Sequence, residues 1–172
     1  LDLGCGTGAN SLFFSKYGRV ISTDISKEAL RYAKLREIKD TICLDAKDLC
    51  FKSNSFDVVI AFDILEHIAN DVKALLEIKR VLCKNGKTII TVPAYNWMWS
   101  NMDEIALHKR RFNKKILKRK LKDSDLVILK LSYFNTFLFP LAVLRKMLNK
   151  IFFNADINFL GHIPLLFNWF FT

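Results

Sequence analysis

The chain has 172 residues, of which 51% are hydrophobic and 26% are charged, and its formal net charge is +10 at pH 7. This composition excludes an intrinsically disordered protein, because half of the residues can contribute to a core, and the length fits a single domain. The four cysteines are scattered without a C-x-x-C pair. Their spacing favours free thiols in a reducing, cytoplasmic compartment over a disulfide framework or a zinc site.

Up to Pro93, short apolar segments alternate with helical patterns. In chain order, the sequence predicts strands at "LDL", "RVISTD" and "TICLD", with helices between them over residues 9–17 and "SKEALRYAKLREI". A fourth strand, "SFDVVIAFD", ends at Asp63, and a helical pattern through "EHIANDVKALLEIKRVLC" leads to a turn at "KNGK" and a fifth strand, "TIITV". This alternation predicts an α/β fold with a doubly wound, mostly parallel sheet. Ligands of such sheets bind beyond the carboxyl ends of the strands.

After Pro93 the sequence changes character. An aromatic loop, "AYNWMWSNMDE", precedes a basic stretch at residues 108–122 with nine Lys or Arg and no acid, and "DLVILKLSYF" then predicts a sixth strand. The basic stretch is either a solvated helix face or a surface that binds anionic lipid, a phosphate-bearing substrate or nucleic acid. We therefore assign residues 1–134 to one domain, in which residues 94–123 form a substrate-side loop and basic stretch.

Residues 135–172 form an apolar tail that we predict to be helical. Its uncharged segments are shorter than the ~20 residues needed to cross a bilayer. The tail either covers the sheet or an adjoining chain, or it lies on a membrane surface with the help of cations between its apolar segments. These cations are Arg145, Lys146 and Lys150. We favour the covering role and keep the membrane surface as the alternative.

Three glycines at alternate positions, Gly4, Gly6 and Gly8, separate the first strand from the first helix. Glycine at this density marks a backbone that turns sharply or lets a ligand approach closely. The loop can be read as G-x-G-x-G or, with Ala9, as the dinucleotide pattern G-x-G-x-x-A. Asp24 ends the second strand about 20 residues later, where a carboxylate can bind ribose hydroxyls in either kind of site. The loop therefore predicts a nucleotide-type ligand.

Two further acids favour a cationic ligand that carries an amino acid and an adenine. Asp2 would repel a pyrophosphate at this position, but it would attract an ammonium group directly or through water. Asp45, at the end of the third strand, offers an acceptor to the exocyclic amine of adenine beside the Ala46 backbone.

Five segments, in this order, resemble motifs of the class I S-adenosylmethionine-dependent methyltransferases: "LDLGCGTG", "VISTDIS", "CLDAKDL", "FDVVIAFDILEHI" and "RVLCKNGKTIITVP". The resemblance covers residues 1 to about 93. It implies a Rossmann-like sheet of seven strands that a helix precedes. Because the first strand is clipped, the preceding helix is absent and only six strand candidates are present, we expect the chain to be truncated at both ends. It also implies S-adenosyl-L-methionine as the cofactor and S-adenosyl-L-homocysteine as the product.

The same resemblance implies how the cofactor is held. The glycine loop and Asp2 shape the methionine pocket, and Asp24 binds the ribose. Ile25 packs on the adenine ring, and Asp45 with Ala46 contacts the edge of that ring. The full set of implied cofactor-binding residues is Asp2, Gly4, Cys5, Gly6, Gly8, Asp24, Ile25, Asp45, Ala46 and Asp63.

Methyl transfer from a sulfonium needs a positioned acceptor and, where required, a base for its proton. The candidate catalytic residues are Glu66, His67 and His108. Asp63, Glu66 and His67 would lie at i, i+3 and i+4 on one face at a predicted helix start. This group could bind a divalent metal or line the pocket; we favour the pocket-lining role and expect no metal. We also expect the neighbouring carboxylates to keep His67 protonated, which would weaken it as a base.

The segment "VPAYNWMWSNMDEIALHKRRF" resembles a bacterial, methyltransferase type 11-like subgroup. In an extended backbone, Tyr95, Trp97 and Trp99 would lie on one side and form an apolar platform. Polar groups of the same segment would stand at the mouth of the site, where arginine suits phosphate or carboxylate groups. The alternative is that the tryptophans close a core edge and the arginines pair with the acids. The polar substrate-binding candidates are Asp103, Glu104, Arg110 and Arg111.

We therefore predict an S-adenosylmethionine-dependent methyltransferase that acts on an oxygen or carbon of a small, lipid-linked or phosphate-bearing acceptor. One alternative is an RNA or other nucleic-acid methyltransferase, which the basic stretch supports. The fourth strand, however, ends in "AFDILEHI" rather than in a [DNS]-P-P-[YFW] element. The other alternative is a non-catalytic cofactor-binding subunit or an NAD-linked oxidoreductase. We expect a cytoplasmic protein, or one peripheral on the cytoplasmic face of an anionic membrane.

Overall fold

The computed structural model describes residues 1–152, with side chains through residue 148. The chain divides into two compact units, Leu1–Leu129 and a unit that starts at Lys130. The domain boundary predicted after residue 134 therefore lies five residues beyond this division. The first unit contains the sheet and every candidate site residue.

The centre of the first unit is a parallel sheet of five strands. They are β1 (Asp2–Leu3), β2 (Ser22–Asp24), β3 (Thr41–Cys43), β4 (Phe56–Phe62) and β5 (Leu82–Thr91), in the spatial order β3-β2-β1-β4-β5. Each neighbouring pair is parallel. The chain reverses its direction of travel across the sheet between β1 and β4, which is the switch point where such sheets bind ligands. This topology confirms the predicted doubly wound α/β fold.

Three helices connect these strands. They are α1 (Ala9–Phe14), α2 (Lys27–Leu35) and α3 (Asp71–Val81). The Ser26 side chain accepts a hydrogen bond from the backbone N–H of Ala29 and so caps α2. α2 contacts β2 and β3, whereas α3 contacts β5. Both helices are amphipathic, and their buried apolar residues include Leu30, Ala33, Ala74, Leu75 and Ile78.

The third helix begins later than its pattern predicts. Residues 64–70 form turns, and α3 starts at Asp71 because the Asn70 side chain accepts a hydrogen bond from the backbone N–H of Lys73. The prediction that Glu66 and His67 lie at a helix start is therefore wrong. They lie in the loop that joins β4 to α3.

The fifth strand begins earlier than predicted. β5 runs from Leu82 and includes "KNGK", which the sequence predicts as a turn. Phe56 pairs with Leu82 and Val58 with Lys87, so the extra residues of β5 are taken up by a register irregularity. Gly86 permits this close pairing, since a Cβ atom there would lie 2.9 Å from the carbonyl oxygen of Cys83.

The predicted sixth strand is wrong. No strand is assigned over residues 125–134. The β-branched and apolar composition of this segment favours a strand, but a strand also needs a neighbour that completes its ladder of hydrogen bonds. Val127 and Leu129 are instead 84% and 77% exposed.

The remaining elements are helical. A 3₁₀ turn at Asn96–Met98 and α4 (Asn101–Ile105) follow the sheet, and α5 (Lys114–Asp123) carries much of the basic stretch. In the second unit, α6 (Phe139–Phe152) confirms a helix in the tail, whereas residues 153–172 lie outside the described part. Among the described residues, no helix combines the length and hydropathy that a membrane span requires.

An ion pair on α3 holds the loop between β3 and β4. Arg80 donates to the carbonyl oxygens of Leu49 and Phe51 at 2.8 and 2.7 Å. Glu77 accepts from the backbone N–H of Leu49 at 2.8 Å and pairs with Arg80 at 2.7 Å. The hydrogen bond from Arg80 is the main cause of a lowered pKa of Glu77. The two side chains thus replace missing backbone partners of a loop that positions the end of β3.

We expect Arg80→Ala to lower the free energy of unfolding by about 2 kcal/mol, because it leaves two loop carbonyls and the Glu77 carboxylate without their donor. Lys79→Ala is the matched control: it removes a cation from the neighbouring, exposed position of the same helix. Urea unfolding followed by circular dichroism measures both. Equal effects of the two substitutions would contradict the assigned role.

Candidate active site

The glycine loop leaves the sheet at the switch point. Gly4, Gly6 and Gly8 have φ angles of 72°, 54° and 86°, which favour glycine over other residues. A Cβ atom on Gly4 would collide with the Ile64 side chain, so this glycine is required by packing. A Cβ atom on Gly6 would meet no heavy atom within 4 Å. The backbone at Gly6 therefore borders open space that a ligand can enter.

Asp24, at the end of β2, faces this loop. Its Oδ2 accepts a hydrogen bond from the backbone N–H of Gly6 at 2.8 Å, and its Oδ1 accepts from that of Ser26 at 2.8 Å. The carboxylate therefore links the glycine turn to the start of α2. Each carboxylate oxygen has a second lone pair, so both can also accept from the hydroxyls of a ribose.

Asp2 and Cys5 are buried next to the loop. The Asp2 carboxylate accepts a hydrogen bond from Ser11 Oγ, which in turn accepts from Ser22 Oγ at 2.8 Å. Burial raises the pKa of Asp2, and burial together with the nearby acids raises the pKa of the Cys5 thiol to about 12. A thiol with a raised pKa is a poor nucleophile, and contact between Cys5 and the cofactor stays a prediction. Contact between Asp2 and an ammonium group stays a prediction.

The predicted adenine contacts follow two adjacent strands. Ile25 is 70% exposed directly after β2, and Cys43 Sγ, at the end of β3, donates to the Ile25 carbonyl oxygen at 3.5 Å. Asp45 Oδ1 accepts from the backbone N–H of Lys47 at 2.9 Å, and Ala46 lies between these two residues. The sheet therefore brings Ile25, Asp45 and Ala46 to the same edge as Asp24.

Asp63 is fixed at the end of β4. It has a positive φ of 50°, and its Oδ1 accepts from Thr91 Oγ1 of β5 at 3.1 Å. This side-chain bond ties the ends of the two strands together. The sequence did not single out Thr91, although its place as the last residue of a strand beside a predicted site is the signal that could have found it.

Glu66, His67 and His108 come together to form what we call the acceptor cluster. The rings of His67 and His108 lie edge to face with centroids 4.8 Å apart, and His108 Nε2 is 3.9 Å from Glu66 Oε1. The backbone N–H of Lys109 donates to the Glu66 carbonyl oxygen at 2.8 Å, which joins the two segments. The fold thus brings the three predicted catalytic residues to one place.

Protonation of the acceptor cluster differs from the expectation. Glu66 is fully buried, and neither of its carboxyl oxygens has a hydrogen-bond partner among the described residues. Burial raises the pKa of Glu66 to about 8, so this group carries little negative charge at neutral pH. Partial desolvation and the neighbouring His108 lower the pKa of His67. The expectation that the carboxylates keep His67 protonated is therefore wrong.

Asp103 orients the third member of the cluster. Its carboxylate is fully buried and accepts from His108 Nδ1 at 2.9 Å, from Arg111 Nε and Nη2 at 2.7 and 2.9 Å, and from the backbone N–H of Ser100 at 2.8 Å. Burial alone would raise the pKa of Asp103, but these bonds outweigh it and hold the pKa well below its usual range. Because a carboxylate only accepts, His108 Nδ1 carries a proton and Nε2 faces Glu66.

The second arginine binds a different acid. Arg110 donates to Asp71 Oδ2 at 3.0 Å and to the Ala69 carbonyl oxygen at 2.9 Å, and Lys120 of α5 donates to Asp71 Oδ1 at 2.6 Å. Both arginines predicted to bind substrate are thus engaged within the protein, Arg111 with Asp103 as the alternative interpretation expected. The sequence analysis missed Asp71, whose position directly after the helix cap Asn70 was the available signal.

The aromatic loop is not extended. Residues Asn96–Met98 form a 3₁₀ turn, so the prediction that alternation places three aromatic rings on one side is wrong. Tyr95 has φ 61°, and its backbone N–H donates to the Phe112 carbonyl oxygen at 2.7 Å, which bends the chain. Tyr95 and Trp97 still form a ring pair with centroids 6.0 Å apart, and Trp97 is 54% exposed. Trp99 and Glu104 follow this turn in the chain.

The fold and this edge define a class of protein: a Rossmann-like, nucleoside-binding α/β domain with a glycine loop after β1 and a ribose-type carboxylate after β2. Residues 1–90 match the family model described as a methyltransferase domain. The chain therefore belongs to the class I S-adenosylmethionine-dependent methyltransferase family.

The chain is similar to several curated proteins. An uncharacterized protein of Methanocaldococcus jannaschii, MJ0638, is 45% identical over 94 residues, which cover 54% of this chain and 39% of that protein. A malonyl-[acyl-carrier protein] O-methyltransferase of Herminiimonas arsenicoxydans is 30% identical over 64% of this chain and 44% of its own length. The chain thus spans less than half of each of these curated relatives.

Solved structures share the fold. A phosphoethanolamine N-methyltransferase 2 of Haemonchus contortus, in complex with S-adenosyl-L-methionine, superposes with a TM-score of 0.69 over 96% of this chain and 40% of that chain, at 21% identity.

We expect Arg111→Lys to lower the free energy of unfolding by about 2 kcal/mol, because an ammonium group cannot reproduce the bidentate pair with buried Asp103. Arg119→Lys, an exposed position of α5, is the matched control and should change stability by less than about 0.5 kcal/mol. Chemical denaturation of both variants provides the comparison. A destabilisation no larger than that of the control would show that the two parallel hydrogen bonds from the Arg111 guanidinium to Asp103 are not needed for stability.

Proposed function

We propose that this protein transfers the methyl group of S-adenosyl-L-methionine to a small acceptor. The observation that carries the proposal is the pairing of Asp24 with Gly6, which places a carboxylate with free lone pairs next to the open face of the glycine loop. In the reaction, the bond between the sulfonium sulfur and the methyl carbon breaks as a bond from the acceptor to that carbon forms. S-adenosyl-L-homocysteine leaves, and the acceptor loses a proton where it carries one.

The cofactor would lie along the carboxyl edge of the sheet. Asp24 would bind the ribose hydroxyls, exposed Ile25 would pack on the adenine, and Asp45 with the Ala46 backbone would meet the adenine edge. The glycine loop would border the methionine portion. The order of β3, β2, β1 and β4 across the sheet supports this direction, from adenine at one side to the sulfonium near Asp63 at the other.

The acceptor would bind where the acceptor cluster meets the aromatic loop. Glu66 and His67 follow β4 by a few residues, and the backbone bond from Lys109 to Glu66 brings His108 beside them. Tyr95 and Trp97 offer an apolar pair of rings near the end of β5. These groups suit a small molecule with an apolar part and an ionisable oxygen or carbon. The similar malonyl-[acyl-carrier protein] O-methyltransferase acts on an acid that is linked to a carrier.

The cofactor assignment is tested by calorimetric titration with S-adenosyl-L-homocysteine. We expect wild-type chain to bind it and Asp24→Ala to bind at least about 100-fold more weakly, because the variant loses the ribose acceptors and the tether of Gly6. Asp57→Ala, at the opposite end of β4, is the control and should bind like wild type. Binding of NADH in place of S-adenosyl-L-homocysteine would overturn the proposal in favour of an oxidoreductase.

We further propose that α6 binds an anionic lipid surface. In the second unit, α6 exposes apolar side chains at helical spacing together with Arg145, and these include Leu141, Leu144 and Leu148. A helix with exposed leucines beside cations has the chemistry that favours the interface of anionic bilayers.

Co-sedimentation with vesicles tests the proposed lipid binding. The chain should pellet with phosphatidylserine-containing vesicles at low salt, and the double substitution Arg145→Glu with Lys146→Glu should release most of it, because repulsion replaces attraction. Lys84→Glu with Lys87→Glu is the control, since it makes the same change of charge at exposed positions of β5. Equal release by both pairs would indicate only a general effect of net charge, and no pelleting would remove the lipid proposal.

A further inference from the structure

The acceptor cluster contains a polar group that the fold leaves unsatisfied. Glu66 has no exposed surface, and both carboxyl oxygens lack a hydrogen-bond partner among the described residues. Buried carboxyl groups in proteins are nearly always paired, because desolvation without a partner is costly. The Glu66 side chain is directed at His108, with 3.9 Å between Oε1 and Nε2. Something other than a described side chain is therefore needed to complete this group.

We propose that Glu66, His67 and His108 bind a divalent transition-metal ion of the zinc class. One candidate ligand atom from each residue lies within 4.8 Å of the other two. Ligand atoms around a tetrahedral zinc with bonds of about 2.0–2.1 Å are about 3.4 Å apart, so the three side chains must move slightly closer before they share an ion. Two imidazole nitrogens and one carboxylate oxygen match zinc and its neighbours better than magnesium or calcium, which favour oxygen ligands.

The surroundings of the cluster fit a metal ligand set. Asp103 accepts from His108 Nδ1 at 2.9 Å and is itself held by the Arg111 fork, an arrangement that fixes the ring and leaves Nε2 available to an ion. Glu66 is buried whereas His67 is exposed, so the cluster opens to solvent on the His67 side. Three protein ligands leave at least one coordination position for a molecule from that side.

The open position gives the metal a role that rests on the proposed function. An acceptor hydroxyl bound to the ion would lose its proton to water more readily and would then attack the methyl carbon. In that arrangement the histidines act as ligands rather than as bases. The inferred acceptor is consequently a molecule whose hydroxyl oxygen can bind a metal, such as a phenol or a hydroxy acid.

Metal binding is tested separately from methyl transfer. The probe is Co²⁺, titrated into chelator-treated chain in a Cys43→Ser, Cys50→Ser background that removes the two exposed thiols, with visible absorption as the readout. We expect one ion per chain, and at least about 100-fold weaker binding in Glu66→Gln and in His67→Asn, since loss of an outer-shell partner alone costs 10–100-fold. Glu37→Gln, the same chemical change at an exposed position, is the control.

The outcomes separate this inference from the proposed function. Both ligand variants should keep their helical circular dichroism, since Glu66→Gln retains the volume of the side chain and His67 is exposed. Weak or absent Co²⁺ binding, or binding that neither variant reduces, would overturn the metal site. S-adenosyl-L-homocysteine binding is measured in parallel on chains that keep Cys43, because Cys43 Sγ contacts the predicted adenine site. Its retention leaves the methyltransferase proposal intact, and its absence in a chain that binds Co²⁺ would overturn that proposal alone.

Discussion

The buried carboxylate of Asp103 is the interaction on which the acceptor side of the site depends. It accepts from Ser100, His108 and Arg111, three residues that belong to the aromatic loop, the cluster and the basic stretch. Arg111 also donates to the Ala94 carbonyl oxygen at 3.1 Å. A buried charge must be paired from several sides, so this one acid forces three segments of irregular backbone into a single arrangement.

Asp71 applies the same constraint from the other side. Asp71 is nearly fully buried at the start of α3 and forms ion pairs with Arg110 and Lys120. These pairs connect α5 and the segment after His108 to α3. Asp71 and Asp103 each form ion pairs with different cations of the basic stretch. Its inward cations neutralise buried carboxylates, whereas the outward side of α5 carries exposed cations such as Lys118, Arg119 and Lys122. The cations of the basic stretch thus lie in two different environments.

The sheet was predictable because its signals are local. Alternation of apolar and amphipathic segments predicts each of the five strands, and the glycine loop with Asp24 predicts where a nucleoside would bind. The ends of the helices and strands were harder to predict, because the start of α3 depends on the cap at Asn70 and the start of β5 depends on its pairing with β4. The predicted sixth strand failed for a related reason, because composition reports preference but not the presence of a neighbour.

The acceptor side was predictable in its residue types but not in its contacts. The pattern singled out Glu66, His67 and His108, but period and spacing could not show that Lys109 would donate to the Glu66 backbone and so bring the distant histidine beside the other two. Nor could they show that Arg110 and Arg111 bind acids of the protein. Such long-range pairings depend on which groups are buried together in the folded chain, and a local sequence pattern carries no information about this.

Glu66 is where stability and function oppose each other. An apolar side chain could fill a similar volume without the desolvation cost of a carboxyl group that has no partner. The neighbouring acids do not relieve this cost, since Asp63 and Asp103 raise the pKa of Glu66 further. Local rules are commonly broken at the sites that carry chemistry. The position of this unsatisfied group, next to two imidazoles and at the open edge of a methyltransferase sheet, is therefore best explained by a ligand that enters from that edge.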